Sequence, residues 1–156
     1  MPRSLGPLVG AIDQGTSSTR FLVYAADTAE LITYHQIEVH KIYPHEGWVE
    51  QDPIAIMKTV HDAIEEVIKK LVALDINPKD IKSKLGVLFA TRVLNNFFRL
   101  LAVGLCNQRE STIVWDKVTG EPLYNSVVWL DNRTTGIVDS FLDGIPGRDI
   151  NFHKVS

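Results

Sequence analysis

The sequence predicts an α/β domain, and three observations carry that expectation. Two apolar runs near the start are joined by a glycine-hydroxyl turn, and a third, alternating run follows them. A long stretch after Asp52-Pro53 repeats apolar residues every three or four positions, as an amphipathic helix does. Beyond residue 101 a small apolar run ends in a polar cluster, and a second hairpin and a short helical pattern come after it.

Composition bounds the class. A chain of 156 residues, 45% of them hydrophobic and with net charge −3, suits one globular domain. Its mild negative charge argues against nucleic acid or an anionic membrane surface as partner. The single cysteine, Cys106, excludes an intrachain disulfide and fits a reducing compartment. The first residues lack the apolar run of a signal peptide, so a cytoplasmic location is expected.

The first hairpin runs through Leu8-Val9-Gly10-Ala11-Ile12-Asp13, turns at Gln14-Gly15-Thr16-Ser17-Ser18, and returns through Thr19 to Ala25. The turn chemistry suits phosphate. Gly15 allows close backbone approach, consecutive N–H groups form an anion nest, and three hydroxyls plus Arg20 add donors. Asp13, at a strand end, suits a hydrated Mg²⁺, which takes one or two carboxylates and completes its shell with water and phosphate. Glycine and hydroxyl residues are also ordinary turn formers, so a solvated polar turn is the competing reading. No helix opens directly after the glycine, which excludes a Walker loop and a dinucleotide fingerprint.

Glu30 to Lys41 alternates, with Leu31, Thr33, His35, Ile37 and Val39 on one face, and completes a three-stranded meander. His35, His40 and His45 lack the cysteine or carboxylate neighbours of a metal site and read as edge histidines. Residues 43–51 form a loop rich in breakers, in which Trp48 suits either an anchor to the core or a stacking platform for a ligand. Asp52 as N-cap and Pro53 at the first helical position then start a helix that buries Ile56, Val60, Ile64, Val67 and Leu71. Glu65 and Glu66 stand four residues before Lys69 and Lys70 on its exposed face. Residues 75–80 end it.

The second informative block is Ala102 to Glu110, a small apolar strand that runs into Asn107-Gln108-Arg109-Glu110. A guanidinium fork beside a carboxylate suits a polyhydroxylated ligand, in which every hydroxyl both donates and accepts. A surface Arg–Glu pair of little consequence explains the same residues. Ser111 to Asp116 reads as a strand, residues 117–122 as a turn, and Asn125 to Leu130 as the returning strand. Ile137, Val138, Phe141 and Leu142 mark a helix that Gly144-Ile145-Pro146-Gly147 stops.

Four motifs in this order carry a resemblance: residues 13–20 (Asp-Gln-Gly-Thr-Ser-Ser-Thr-Arg), residues 47–53 (Gly-Trp-Val-Glu-Gln-Asp-Pro), residues 107–115 (Asn-Gln-Arg-Glu-Ser-Thr-Ile-Val-Trp) and residues 125–129 (Asn-Ser-Val-Val-Trp). Together they resemble the N-terminal part of the glycerol kinases, in the FGGY carbohydrate kinase family. The resemblance implies an actin-like, ribonuclease H-like ATPase fold, a mixed sheet with flanking helices, present here in part. It implies ATP and Mg²⁺ as cofactors and phosphorylation of glycerol to glycerol 3-phosphate. By position, Thr16, Ser17, Ser18 and Arg20, with Gln14 and Gly15, match phosphate contacts, and Asp13 matches the Mg²⁺-linked acid. Gln108, Arg109 and Glu110 match the glycerol-binding group. The general base and the adenine-binding second domain are expected beyond Ser156, so no catalytic residue is expected in this chain.

The alternatives are a non-catalytic regulatory or binding isoform, with self-association or pairing to a full-length kinase, and a kinase of another polyol or sugar. Residues 8–156 are expected to form the partial kinase domain, and residues 1–7 a disordered start. Residues 83–101 read as an atypical insertion, because the family pattern runs almost directly from Lys82 to Ala102. Within it, Val87, Ala90, Leu94, Phe97, Phe98 and Leu101 share a helical face, while Lys84, Arg92 and Arg99 interrupt any membrane span.

Overall fold

The computed structural model describes residues 7–76 and 102–148. The expected insertion at 83–101 and residues 1–6 of the expected disordered start lie outside the described residues. The chain opens with three strands, β1 (Leu8–Gln14), β2 (Ser18–Ala25) and β3 (Leu31–Glu38), as an antiparallel meander. A two-residue strand β4 (Glu50–Gln51) leads into helix α1 (Pro53–Ala73). Strand β5 (Val103–Asn107) then lies parallel to β1, which makes a mixed sheet of order β3-β2-β1-β5. Strand β6 (Ser126–Val127) pairs antiparallel with β4 as a second, two-stranded sheet, and α2 (Thr135–Asp143) follows.

Alternation decides what is buried. Thr19, Phe21, Val23 and Ala25 of β2 face inward, and their neighbours stay half-exposed. Leu8, Phe21 and Val23 meet Val60, Ala63, Ile64, Val67 and Leu71 of α1 in one apolar cluster. The Asp52 side chain accepts from the Ile54 N–H at 2.8 Å, so the expected cap is formed with Pro53 directly behind it. Thr59 donates to the Ile56 carbonyl, so Thr19 supplies the proton of the 2.8 Å Thr19–Thr59 hydrogen bond between β2 and α1.

Three expectations need correction. Leu31 is exposed and Ile32 packs on the core instead, because the register shifts at Val23 and Tyr24: Val23 pairs with Thr33 and Tyr24 with Leu31, which leaves Ile32 as the extra residue of a bulge. The second hairpin forms as isolated bridges, Thr112 with Val127 and Trp115 with Pro122, rather than as two strands. Val114, Trp115, Leu123 and Tyr124 are exposed, and residues 126–127 pair with β4. On α1, Lys69 pairs with Glu66 three residues away, while Lys70 crosses to the Tyr34 carbonyl on β3 at 2.7 Å. The expected helix near residue 137 is present, with Ile137, Val138 and Phe141 exposed. No helix among the described residues is long and apolar enough to cross a membrane.

Candidate functional site

The turn between β1 and β2 and the loop after β5 leave the same edge of the sheet, since β1 and β5 are parallel and Gln14 stands beside Asn107. The turn is tight. The Gly15 N–H donates to the Ser18 carbonyl at 2.9 Å, and a Cβ on Gly15 would lie only 3.3 Å from that oxygen. The Val39 N–H holds the Ser17 carbonyl at 3.0 Å from outside.

The two hydroxyls at the tip share one feature. Trp129 Nε1–H donates to Thr16 Oγ1 at 2.9 Å, and Lys41 Nζ donates to Ser17 Oγ at 3.2 Å. Indole and ammonium nitrogens donate only, so both hydroxyls act as acceptors within the protein and keep their own protons for a ligand. An anion is the ligand that such protons and the Lys41 charge favour. Neither Trp129 nor Lys41 was singled out by the sequence reading as a partner of the turn. Both lie far from it along the chain, and only folding brings them there.

On the outward face of the sheet, Asp13, Arg20 and Gln36 lie opposite one another in register. Arg20 Nη1 reaches Asp13 Oδ2 at 3.1 Å and its Nε donates to Gln36 Oε1 at 2.7 Å, so the guanidinium is held from two sides. Arg20 engages only Oδ2 of Asp13, and the carboxylate is about two-fifths exposed at 42%. A partly solvated carboxylate of which Arg20 engages one oxygen, beside a glycine-hydroxyl turn, fits a hydrated Mg²⁺ held largely through water. Among the described residues no group of three or more His, Cys, Asp or Glu is placed to enclose a metal ion. Ser18 is half-buried at the first position of β2. Gln14 is buried and turned inward, its amide donating to the Gly15 carbonyl at 2.8 Å and its Oε1 facing Gln108 Nε2 at 3.4 Å.

Beyond β5, Gln108 is half-buried, while Arg109 and Glu110 are exposed, with Glu110 in the left-handed region at φ 59°. The simple surface ion pair between Arg109 and Glu110 is not formed among the described residues. Gln108 is instead tied down firmly. Its Nε2 donates to Gln51 Oε1 at 2.9 Å, and Ser111 Oγ donates to its Oε1 at 2.9 Å. Gln51 is fully buried and its Nε2 donates to the Thr16 carbonyl at 2.8 Å.

A second cluster lies beneath this layer and escaped the sequence reading. Glu50, 1% exposed, accepts from Tyr124 Oη at 3.0 Å, Asn125 Nδ2 at 2.9 Å and Arg133 Nη2 at 2.7 Å. Arg133 also grips Asp131, and its guanidinium stacks on the Trp48 ring at 3.8 Å. The hydrogen bond from Asn125, with those from Arg133 and Tyr124, holds the Glu50 carboxyl below its usual range against the opposing effect of burial. Arg133 does the same for Asp131, helped by the Val49 N–H. Trp48 is therefore placed as an anchor, with His45 edge-on at 4.8 Å. The legible signal was the charge alternation of Asp131-Asn132-Arg133 beside a glycine-tryptophan loop, which a linear reading assigns to two separate turns.

The family model for the N-terminal domain of the FGGY family of carbohydrate kinases matches residues 8–88 and 98–151. A probable glycerol kinase of Caenorhabditis elegans is 51% identical over 132 residues, which is 85% of this chain and 22% of that protein. A probable glycerol kinase of Dictyostelium discoideum is 40% identical over 136 residues, 86% of this chain and again 22% of that protein. The crystal structure of Plasmodium falciparum glycerol kinase with ADP superposes with a TM-score of 0.68 at 30% identity, covering 87% of this chain and 23% of that one. A xylulose kinase of Lactobacillus acidophilus shares the fold at TM-score 0.65 and 21% identity. The chain thus spans 22% of the length of the curated relatives it matches.

Proposed function

Because the chain belongs to the FGGY family of carbohydrate kinases and carries the actin-like fold of its N-terminal domain, we propose that it is the phosphate- and polyol-binding part of a glycerol kinase. The reaction proposed is transfer of the γ-phosphoryl group of ATP to the primary 3-hydroxyl of glycerol. The bond from phosphorus to the β,γ-bridging oxygen breaks, ADP leaves, and the glycerol hydroxyl loses its proton. Such transfers depend on positioning and charge stabilisation rather than on covalent steps by the protein.

The observation that carries the reading is the proton arrangement at the turn. Thr16 and Ser17 accept from Trp129 and Lys41, which leaves both hydroxyls as donors toward an anion. Ser18 and the N–H groups of the turn other than that of Gly15 are assigned to a phosphate cradle, which Gly15 keeps tight through its N–H to the Ser18 carbonyl, and Arg20 and Lys41 supply positive charge. Arg109 and Glu110, exposed beside the turn, are assigned to glycerol, with Gln108 fixing their loop. Gln14 supports that loop from within. Asp13 is the residue assigned to Mg²⁺, which when bound neutralises phosphate charge. No described residue is assigned the general base. A cytoplasmic location is proposed from the single cysteine, Cys106.

Binding of Mg·ADP to the full chain, measured by calorimetry, tests the phosphate assignment. Thr16→Val and Ser17→Ala each remove one donated hydrogen bond to a charged group, worth about 1.5–3 kcal/mol. Affinity is expected to fall about tenfold or more in each variant. Unchanged affinity in both would assign the turn to structure alone.

A further inference from the structure

We propose that Gln51 is a positioning residue that couples the phosphate turn to the polyol loop. This rests on the reading above and goes beyond it. Five hydrogen bonds form a closed ring through Thr16, Gln51, Gln108, Ser111 and Trp129. Gln51 Nε2 donates to the Thr16 carbonyl at 2.8 Å, Gln108 Nε2 to Gln51 Oε1 at 2.9 Å, and Ser111 Oγ to Gln108 Oε1 at 2.9 Å. Trp129 closes it twice, with its backbone N–H to Ser111 Oγ at 3.3 Å and its indole N–H to Thr16 Oγ1 at 2.9 Å.

The ring has a direction. Every donor points from Trp129 toward Thr16, along one branch through Ser111, Gln108 and Gln51 and along the other directly. Hydrogen bonds aligned head to tail polarise one another, so a change at one end is felt along the chain. Thr16 sits at the tip of the phosphate turn, and Gln108 is the residue before Arg109. Gln51 bonds to both loops, to the Thr16 carbonyl and to the Gln108 amide, and it is fully buried. Its backbone is clamped as well, since Gln51 pairs with Ser126 across β4 and β6 and precedes the Asp52 cap of α1. A buried, singly oriented amide of this kind gives the two loops one shared geometry. An anion that shifts the Thr16 backbone at the turn therefore shifts the Arg109–Glu110 loop through the Thr16 carbonyl, Gln51 and Gln108.

Nuclear magnetic resonance on the nitrogen-labelled full chain, titrated with Mg·ADP, reads this directly. In the unsubstituted chain the Thr16 and Ser17 amide signals are expected to move together with those of Arg109 and Glu110. In Gln51→Met, close in volume but unable to hydrogen-bond, the response at Arg109 and Glu110 should fall about fivefold while that at Ser17 persists. Gln108→Met cuts the same branch at its bond to Gln51 Oε1 and should give the same loss should Gln51→Met not fold. Glu50→Gln perturbs the layer beside the ring without cutting it, so it should keep the response and separate coupling from plain loss of stability. Retention of the Arg109–Glu110 response in both ring variants, or its absence in a chain whose Thr16 and Ser17 signals do move, overturns the coupling alone. Still signals at Thr16 and Ser17 would overturn the phosphate reading, and this proposal with it.

Discussion

Arg133 Nη2 stands 2.7 Å from Glu50 Oε1, and the same guanidinium grips Asp131 and lies over the Trp48 ring. One cation thereby joins the short strand before α1 to the turn after β6, segments separated by 83 positions. Tyr124 and Asn125 supply the remaining donors, so the buried Glu50 carboxylate is fully engaged. Glu50→Gln turns one accepting oxygen into a donor that faces Asn125 in one orientation and Tyr124 with Arg133 in the other. The expected cost is about 1–3 kcal/mol, read as a lower midpoint in chemical denaturation. An unchanged midpoint would mean that the cluster rearranges freely.

The same cluster sets an acid limit. Glu50 and Asp131 both hold their carboxyl groups below the ordinary values of 4.5 and 3.8. Groups with depressed native values stabilise the fold above the ordinary value, and that contribution disappears as pH falls through the native one. The melting temperature should therefore fall as pH is lowered from about 5 toward 2. In Asp131→Asn the acid limb should be shallower, so that the two melting curves converge at low pH. Parallel curves would remove Asp131 from the account.

Gly47 carries a conformational demand as well as a spatial one. Its φ is +76°, and a Cβ there would lie 1.9 Å from Asn132 Oδ1, whose own N–H binds the Gly47 carbonyl at 3.0 Å. Gly47→Ala should destabilise by about 1–3 kcal/mol through left-handed strain. Asn132→Ala in the same chain should relieve the clash but not the strain. Full recovery in the double variant would show that space alone matters.

These cases mark where the sequence was legible. The β1–β2 hairpin, α1 with its Asp52-Pro53 start, and β5 ending at the Asn107-Gln108 cluster were readable because each is specified locally, by alternation, a cap or helical spacing. The turn at residues 14–18 was readable for the same reason: its glycine and hydroxyl residues are consecutive. Arg133, Trp129 and Lys41 were not, because each acts on a residue 24 or more positions away, and distance along the chain conceals such contacts. Leu31 failed through a single bulge, since one extra residue moves every side chain beyond it to the other face. The second hairpin failed because Ser126 and Val127 pair with β4, and the exposed Val114, Trp115, Leu123 and Tyr124 gain little by extending it.

Arg20 serves as a two-pronged clamp, binding Asp13 through Nη1 and Gln36 through Nε. Lysine carries the charge but has no planar fork. Arg20→Lys should leave the melting temperature nearly unchanged, because the site is partly exposed and such pairs contribute about 1 kcal/mol or less. Mg·ADP affinity should nevertheless fall several-fold, as Asp13 loses its fixed orientation. Equal affinity in the lysine variant would reduce Arg20 to a simple charge.

Arg109 offers the sharpest separation of binding from folding. It is exposed and makes no side-chain ion pair with a described residue, so Arg109→Ala should change stability by no more than about 0.5 kcal/mol. The proposed role predicts a different result for glycerol. A guanidinium that donates to a hydroxyl contributes about 1.5–3 kcal/mol, and its loss should weaken glycerol binding about tenfold or more. Thermal melting and glycerol titration on the same preparation distinguish the two effects. A lower melting temperature with unaltered glycerol binding would place Arg109 in the scaffold, and the polyol assignment would then rest on Glu110 alone.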